Sequence, residues 1–104
     1  MDKFELIIKR AVDTGSEVIV STAHEIITKL KEYKCGDFAC YPYSFNSISI
    51  EWLTKTKRAG IIIGQNDLNS GWYILTIGEL FENQPWGYLD TLDIAFLLKE
   101  LGIN

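Results

Sequence analysis

The sequence predicts one α+β domain over residues 1–104, with helices from both ends of the chain covering one face of a three- to four-stranded antiparallel meander sheet. Apolar residues recur at helical spacing near both ends, whereas the middle of the chain alternates between apolar and polar residues. Both prolines, Pro42 and Pro85, fall between these periodic segments. With 47% hydrophobic and 23% charged residues, the composition is that of a globular protein and excludes disorder.

The first helix is predicted from an apolar stripe at i, i+3, i+4, i+7 and i+8. Asp2 and Glu5, three residues apart, are typical of a helix N-terminus, and Gly15 is a suitable stop. The stripe consists of Phe4, Ile7, Ile8, Ala11 and Val12.

A second helix follows, and its start has three interpretations. Capping boxes fit both Thr14 with Glu17 and Thr22 with Glu25. The β-branched run 18–20 could instead form a short strand. Gly36 is the predicted end of this helix. Its inner face would comprise Ile19, Ala23, Ile26, Ile27 and Leu30.

Three strands are predicted in the middle of the chain. Residues 47–52 alternate polar and apolar, as in a strand buried on one face. Residues 59–64 are apolar on both faces and predict a central strand, and residues 72–77 form a third. The segment 78–81 either extends the third strand or begins a fourth. Strand alternation assigns Trp52 and Trp72 to the core.

A helix is predicted to end the chain. Asp90 and Asp93 can cap its N-terminus, where a carboxylate also suits the helix dipole, and Gly102 closes it. Its buried stripe would consist of Ile94, Leu97, Leu98 and Leu101.

Charge is unevenly distributed along the chain. The net charge is −4, and residues 59–98 contain no Lys or Arg. This part is predicted to form an acidic surface that repels phosphate backbones and attracts basic partners, so we expect no binding to nucleic acid. Its acids are Asp67, Glu79, Glu82, Asp90 and Asp93.

The sequence predicts no catalytic group, metal or cofactor. His24 is the only histidine, and its neighbour Glu25 would point in a different direction on a helix, so a nucleophile and an orienting acid would have to come from distant segments. A zinc site would have to combine His24 with Cys35, Cys40 and Asp37, at a spacing unlike that of known zinc sites. The nucleophile-elbow, phosphate-loop and dinucleotide-binding motifs are all missing from the sequence.

The cellular compartment is predicted from the N-terminal residues, the length of the apolar runs and the two cysteines. Charged residues interrupt the N-terminal apolar residues, unlike in a signal peptide, and no apolar run is long enough for a membrane helix. We therefore expect a cytoplasmic protein in which Cys35 and Cys40 stay reduced.

The aromatic residues outside the predicted strands are candidates for an interface. Tyr41, Tyr43 and Phe45 alternate around Pro42, and Trp86 and Tyr88 follow Pro85. Tyr and Trp combine a large contact area with a polar tip and are frequent in interface hot spots. The rival interpretation is that these rings cover a thin core from the loops.

The pattern of residues 50–52, 58–61 and 70–73, followed by Leu89-Asp90-Thr91-Leu92, resembles that of bacterial immunity proteins encoded beside contact-dependent or polymorphic toxins. The similarity covers about the last half of the chain and consists of a strand–hairpin–strand followed by an acid-capped helix. Immunity proteins differ in fold, so no family residue transfers to a position here. The resemblance implies a small acidic protein that neutralises a cognate toxin, often a basic nuclease, by stoichiometric binding.

The leading hypothesis is therefore a non-enzymatic, immunity-type inhibitor of a basic toxin. Alternatives are a homo-oligomeric structural or accessory protein, a viral inhibitor of a host defence protein, and a small enzyme or ligand-binding domain using His24. The predicted contact residues are Asp67, Glu79, Glu82, Trp86, Tyr88 and Asp90, with Tyr41 and Tyr43 as a second group.

Overall fold

The computed structural model describes residues 2–44 and 46–103, which form three α-helices and five strands. Short 3-10 turns lie in the connections, at Asp67–Asn69, Phe81–Asn83 and Leu89–Thr91. Among these residues, no helix has both the length and the apolar character needed to cross a bilayer. The elements in chain order are α1 (Lys3–Asp13), α2 (Glu17–Leu30), β1 (Ala39–Pro42), β2 (Ile48–Leu53), β3 (Lys57–Ile63), β4 (Gly71–Thr76), β5 (Trp86–Gly87) and α3 (Ile94–Glu100).

The sheet is an antiparallel meander in the order β1-β2-β3-β4-β5. The α+β class, the two N-terminal helices and the C-terminal helix are confirmed, but the predicted number of three to four strands is wrong. The prediction missed β1 and β5. They have four and two residues and include Pro42 and Gly87, so neither strand is long enough to show an alternating pattern.

The segment 78–81 is neither an extension of β4 nor a separate strand. Gly78 has a φ of +94°, and the Glu79 amide donates to the carbonyl of Thr76 at 3.1 Å. These features make a turn, which a glycine with positive φ favours. The chain then enters the 3-10 turn at Phe81–Asn83 and returns as β5.

Short polar side chains cap the N-termini of the first two helices. The Asp2 carboxylate accepts from the amide of Glu5 at 2.8 Å, and the Ser16 hydroxyl accepts from the amide of Ile19 at 3.3 Å. Residue 16, and neither of the predicted threonines, therefore starts α2, and residues 18–20 are helical. The helix ends at Leu30, so the predicted end at Gly36 is too late; Gly36 lies in the following loop with a φ of +63°.

Helix α3 has a single side-chain cap. The Asp93 carboxylate accepts from the amide of Phe96 at 3.1 Å. Asp90, the other predicted capping residue, lies three residues earlier in the 3-10 turn at Leu89–Thr91.

The core lies between the helices and one face of the sheet. Trp52 is its largest fully buried side chain, and its indole N–H donates to the carbonyl of Cys35 at 2.8 Å. Trp72 was assigned to the core as well, but it is only partly buried and packs against the edge of the core. Because α1, α2 and α3 all contribute buried residues to this one cluster, no helix of residues 2–44 and 46–103 covers the opposite face of the sheet.

Candidate functional site

The uncovered side of the sheet, here called the open face, displays the residues that alternate with the core residues along each strand. The register places Tyr41 opposite Ser49, Glu51 opposite Gly60, and Tyr73 opposite Trp86. Side chains at these positions point away from the helices because successive residues of a strand face opposite sides. The open face consists of Ala39, Tyr41, Ser49, Glu51, Leu53, Arg58, Gly60, Ile62, Gly71, Tyr73, Leu75 and Trp86.

A polar network crosses the middle of the open face. One carboxylate oxygen of Glu51, Oε2, accepts from the hydroxyls of Tyr41 at 2.5 Å and Tyr73 at 3.1 Å. The same oxygen accepts from Arg58, at 2.9 Å from Nε and 2.7 Å from Nη2. Residues from β1, β2, β3 and β4 are thus joined through one carboxylate.

Gly60 makes this network possible. An added Cβ at this position would lie 2.6 Å from the end of the Tyr73 ring, so the ring passes directly over the glycine. Tyr73 on β4 can therefore reach Glu51 on β2 across the intervening strand. A side chain at position 60 would have to displace the ring and break that hydrogen bond.

Glu51 and Tyr73 each keep a single protonation state around neutral pH. Burial raises the pKa of Glu51, but hydrogen bonds from Tyr41, Arg58 and Tyr73 outweigh it and hold that pKa below its usual value. Burial and the nearby Glu51 charge raise the pKa of Tyr73 to about 12. Glu51 therefore stays an acceptor and Tyr73 a donor, and neither group is available as a proton carrier at neutral pH.

Beside the network lies a groove of about 890 Å³. Its lining includes Ile62 of β3 and Tyr73 of β4, together with the connection at residues 64–70, residues just after β1, and β5. Two glycines allow backbone segments beside the groove to approach each other closely. A Cβ at Gly64 would lie 2.6 Å from the carbonyl oxygen of Asn69, and a Cβ at Gly71 would lie 2.6 Å from that of Gly87.

Three predicted contact residues line this groove, and their rings are exposed. The exposed fractions are 63% for Trp86, 56% for Tyr43 and 45% for Tyr88. The rings of Trp86 and Tyr88 stand edge to face, 5.9 Å apart and at 80°. Such exposure of large rings beside a concave surface is typical of a binding site. Phe45, the third ring of the predicted series, lies outside the described residues.

Tyr41, in contrast, belongs to the polar network. Its hydroxyl is held by Glu51 and its ring is partly buried. Its role within the chain is to orient the carboxylate, and it does not line the groove.

The four predicted acidic contact residues are exposed but do not line the groove. Asp67 and Asp90 lie in 3-10 turns next to groove residues, such as Leu68 and Tyr88. Glu79 and Glu82 lie in the connection between β4 and β5, where Glu79 accepts weakly from the Gln84 side chain at 3.4 Å. The acids thus lie in turns and connections outside the groove, whereas the rings line it.

Sequence analysis did not single out Glu51, Arg58 or Tyr73. The available signal was strand alternation, which places Glu51 on the face opposite Trp52, with Arg58 just beyond a short polar turn. The contact between Tyr73 and Glu51 depends on the strand order and on the glycine between them, and pattern alone gave neither.

The other reactive side chains do not lie on the open face. His24 is exposed on α2, on the helical side of the molecule. Cys35 and Cys40 are buried free thiols, and burial raises the pKa of Cys40 to about 11. Among residues 2–44 and 46–103, no three His, Cys, Asp or Glu side chains group as metal ligands would.

Comparison of the chain with protein-family models, curated proteins and solved structures finds no match.

Proposed function

We propose that this chain is an immunity-type inhibitor that binds and neutralises a cognate basic toxin domain through the open face of its sheet. The observation that carries the proposal is the group of three exposed rings, Trp86, Tyr43 and Tyr88, that line the groove at the open face, with Trp86 at 63% exposure. Rings of this kind form the centres of protein interfaces, where surrounding polar residues exclude water. Such inhibition needs contact area and no chemistry from the inhibitor.

The charge distribution supports a basic partner. Between residues 59 and 98 the chain has no Lys or Arg, and its net charge is −4. The exposed acids of this part would attract a cationic protein at long range and raise the association rate. The turn containing Lys55 and Lys57 opposes this attraction of a basic partner. It lies beside the segment that leads to Glu79, because the amide of Ile77 donates to the carbonyl of Thr56 at 2.8 Å.

The two edge strands of the sheet favour a partner that binds the open face over one that pairs with an edge. Strand β1 ends in Pro42, which has no N–H to offer, and the Arg10 side chain donates to the carbonyl of Cys40 at 3.4 Å. At the other edge, β5 is only two residues long. Short strands and proline both disfavour pairing with an added strand. These features count against self-association by edge pairing.

The proposal is tested by recovering the partner and measuring its activity. Crosslinking in the native cell, followed by purification of the crosslinked protein, should give a basic protein whose toxic activity stops at one equivalent of this chain. A partner that keeps full activity in the complex would contradict inhibition. Turnover of a substrate by the purified chain would contradict the non-enzymatic role.

Reversal of two acids tests the electrostatic contribution. Glu79→Lys/Glu82→Lys is expected to slow association with the purified partner about tenfold at low salt and to reduce the salt dependence of that rate, because the steering field is weakened. Stopped-flow mixing at several salt concentrations measures both quantities.

Glu17→Lys/Glu25→Lys is the matched control, since it changes the net charge equally on the helical side of the molecule. It should slow association less than the first variant. Equal rates for both variants and for the unmodified chain would exclude Glu79 and Glu82 as steering residues.

A further inference from the structure

Two of the exposed groove rings, Trp86 and Tyr88, form a corner. Their planes meet at 80° and their centroids are 5.9 Å apart. Two planes that meet nearly at right angles leave a recess with a ring face on two of its sides. The face of an aromatic ring is the negative part of its quadrupole, so this recess, here called the ring corner, suits a positively charged group.

The chain's own lysines make contacts of this kind with other rings. Lys3 Nζ lies 5.1 Å from the ring centroid of Phe38, and Lys31 Nζ lies 5.5 Å from that of Phe4. Among residues 2–44 and 46–103, no Lys or Arg lies over either ring of the ring corner. Tryptophan binds cations more strongly than tyrosine or phenylalanine does. The ring best suited to a cation is therefore open to one from a partner.

The charges near the ring corner also favour a cation. Arg58 is the only charged residue among those lining the groove, and Glu51 neutralises its guanidinium through the 2.7 Å ion pair. Asp90 is exposed two residues after Tyr88, in the 3-10 turn at Leu89–Thr91. A cation in the ring corner would therefore meet no unpaired positive charge in the groove, and it would have a carboxylate close by in the chain.

The lysines of the turn between β2 and β3 lie towards the other end of the strands. Lys57 pairs with Thr76 of β4, whereas a Cβ at Gly71 would lie 3.9 Å from the Cα of Tyr88. Five residue steps of β4 separate positions 71 and 76, which is about 17 Å at the usual strand rise. This exceeds the Debye length of about 8 Å at physiological salt, so repulsion from these lysines is largely screened.

The polar groups of the groove match the donors of an arginine side chain in particular. Gln65 and Asn69 are exposed and line the groove, and their amide oxygens can accept hydrogen bonds. A guanidinium has five N–H donors and a flat face that stacks on an aromatic ring. An ammonium has the same charge but no flat face. An arginine can therefore stack on Trp86 and donate to acceptors of the groove at the same time.

We propose that the ring corner binds a cationic side chain of the partner, and that it prefers an arginine to a lysine. The cation lies on the indole face of Trp86, beside Tyr88, and Asp90 supplies the nearby negative charge. Only the assignment of this cation to the toxin rests on the proposed function. The binding chemistry belongs to the ring corner itself and is tested without the partner.

The test uses acetyl-arginine amide as the probe and acetyl-citrulline amide as its uncharged counterpart of nearly the same shape. Titration of the arginine probe into the ¹⁵N-labelled full chain should shift the Trp86 indole resonance and the amides of residues 87–90 saturably, while the buried Trp52 indole resonance stays in place. The citrulline probe should bind about two- to fivefold more weakly, as expected for loss of an exposed cation–π contact.

Three variants separate the contributions of ring and charge. Trp86→Leu keeps an apolar side chain without a ring face, and should weaken arginine binding by at least the same factor, as followed by the amides of residues 87–90. Asp90→Asn should weaken binding of the arginine probe and leave that of the citrulline probe unchanged. Glu25→Gln removes an exposed acid of α2 and should change neither. An unchanged Trp52 indole resonance shows that each variant is folded.

The proposal is overturned if the arginine probe causes no saturable shift, if the citrulline probe binds equally well, or if Trp86→Leu retains full binding. Acetyl-lysine amide tests the preference between the two cations, and tighter binding of lysine than of arginine would contradict it. A toxin complex that forms with a chain showing no shift by either cation would reject this inference alone. Arginine binding by a chain that inhibits no toxin would retain this inference and reject the proposed function.

Discussion

Replacement of Trp86 by Ala is expected to weaken the complex with the cognate partner about 30-fold, or about 2 kcal/mol. Trp86 lines the groove with 63% of its surface exposed in the free chain. Loss of the ring removes packing that forms only in the complex, so the change should appear as faster dissociation. Surface plasmon resonance with the immobilised partner measures both rate constants.

The same substitution should leave the fold intact. Because Trp86 is mostly exposed, its removal is expected to lower the free energy of unfolding by only about 1 kcal/mol, from the loss of its edge-to-face contact with Tyr88. Val18→Ala is the control, since Val18 is 55% exposed on α2, on the helical side. An unchanged dissociation rate for Trp86→Ala, or an equal loss of affinity for Val18→Ala, would show that the open face is not the interface.

Gly71→Ala is expected to lower the free energy of unfolding by about 2 kcal/mol. The added Cβ would lie 2.6 Å from the carbonyl oxygen of Gly87. That atom belongs to the backbone, so β5 must move as a unit and weaken its pairing with β4. The Trp86 ring would move with it. Urea unfolding followed by circular dichroism measures the stability change.

Gly60→Ala provides the matched comparison. Its Cβ would also come within 2.6 Å of a neighbour, but the neighbour is the end of the Tyr73 ring. A side chain can rotate away, so only the hydrogen bond to Glu51 is expected to be lost. The free energy of unfolding should therefore fall by about 1 kcal/mol. A larger decrease in the free energy of unfolding for Gly60→Ala than for Gly71→Ala would contradict the claim that the Gly71 substitution crowds the backbone of β5.

The elements that the sequence predicted are those long enough to have a period. Two or more repeats of the apolar pattern are present in each of the three helices and in β2. The residues alone therefore predicted which face of each element is buried. Strand β5 pairs through only two residues, with Tyr73 opposite Trp86 and Trp72 opposite Gly87. Its pairing depends on the turns around it, which residue types specify weakly.

The candidate site was predictable in part for the same reason. Trp86 and Tyr88 attract attention as rings in an irregular segment, and both line the groove. Tyr41 was singled out for its ring alone, because its hydrogen bond to Glu51 depends on strand register. Sequence analysis grouped acids and rings as one set of contacts, since both were expected at the surface. Only the three-dimensional arrangement separates a neutral groove from acids outside it.

The measurement that tests the open face most directly is hydrogen exchange of the ¹⁵N-labelled chain, free and in complex with its purified partner. The account predicts slower exchange of the Trp86 indole N–H and of the amides in the connection at residues 64–70, with exchange in α1 and α2 unchanged. Protection confined to α1 and α2, with the Trp86 indole exchanging as in the free chain, would contradict it.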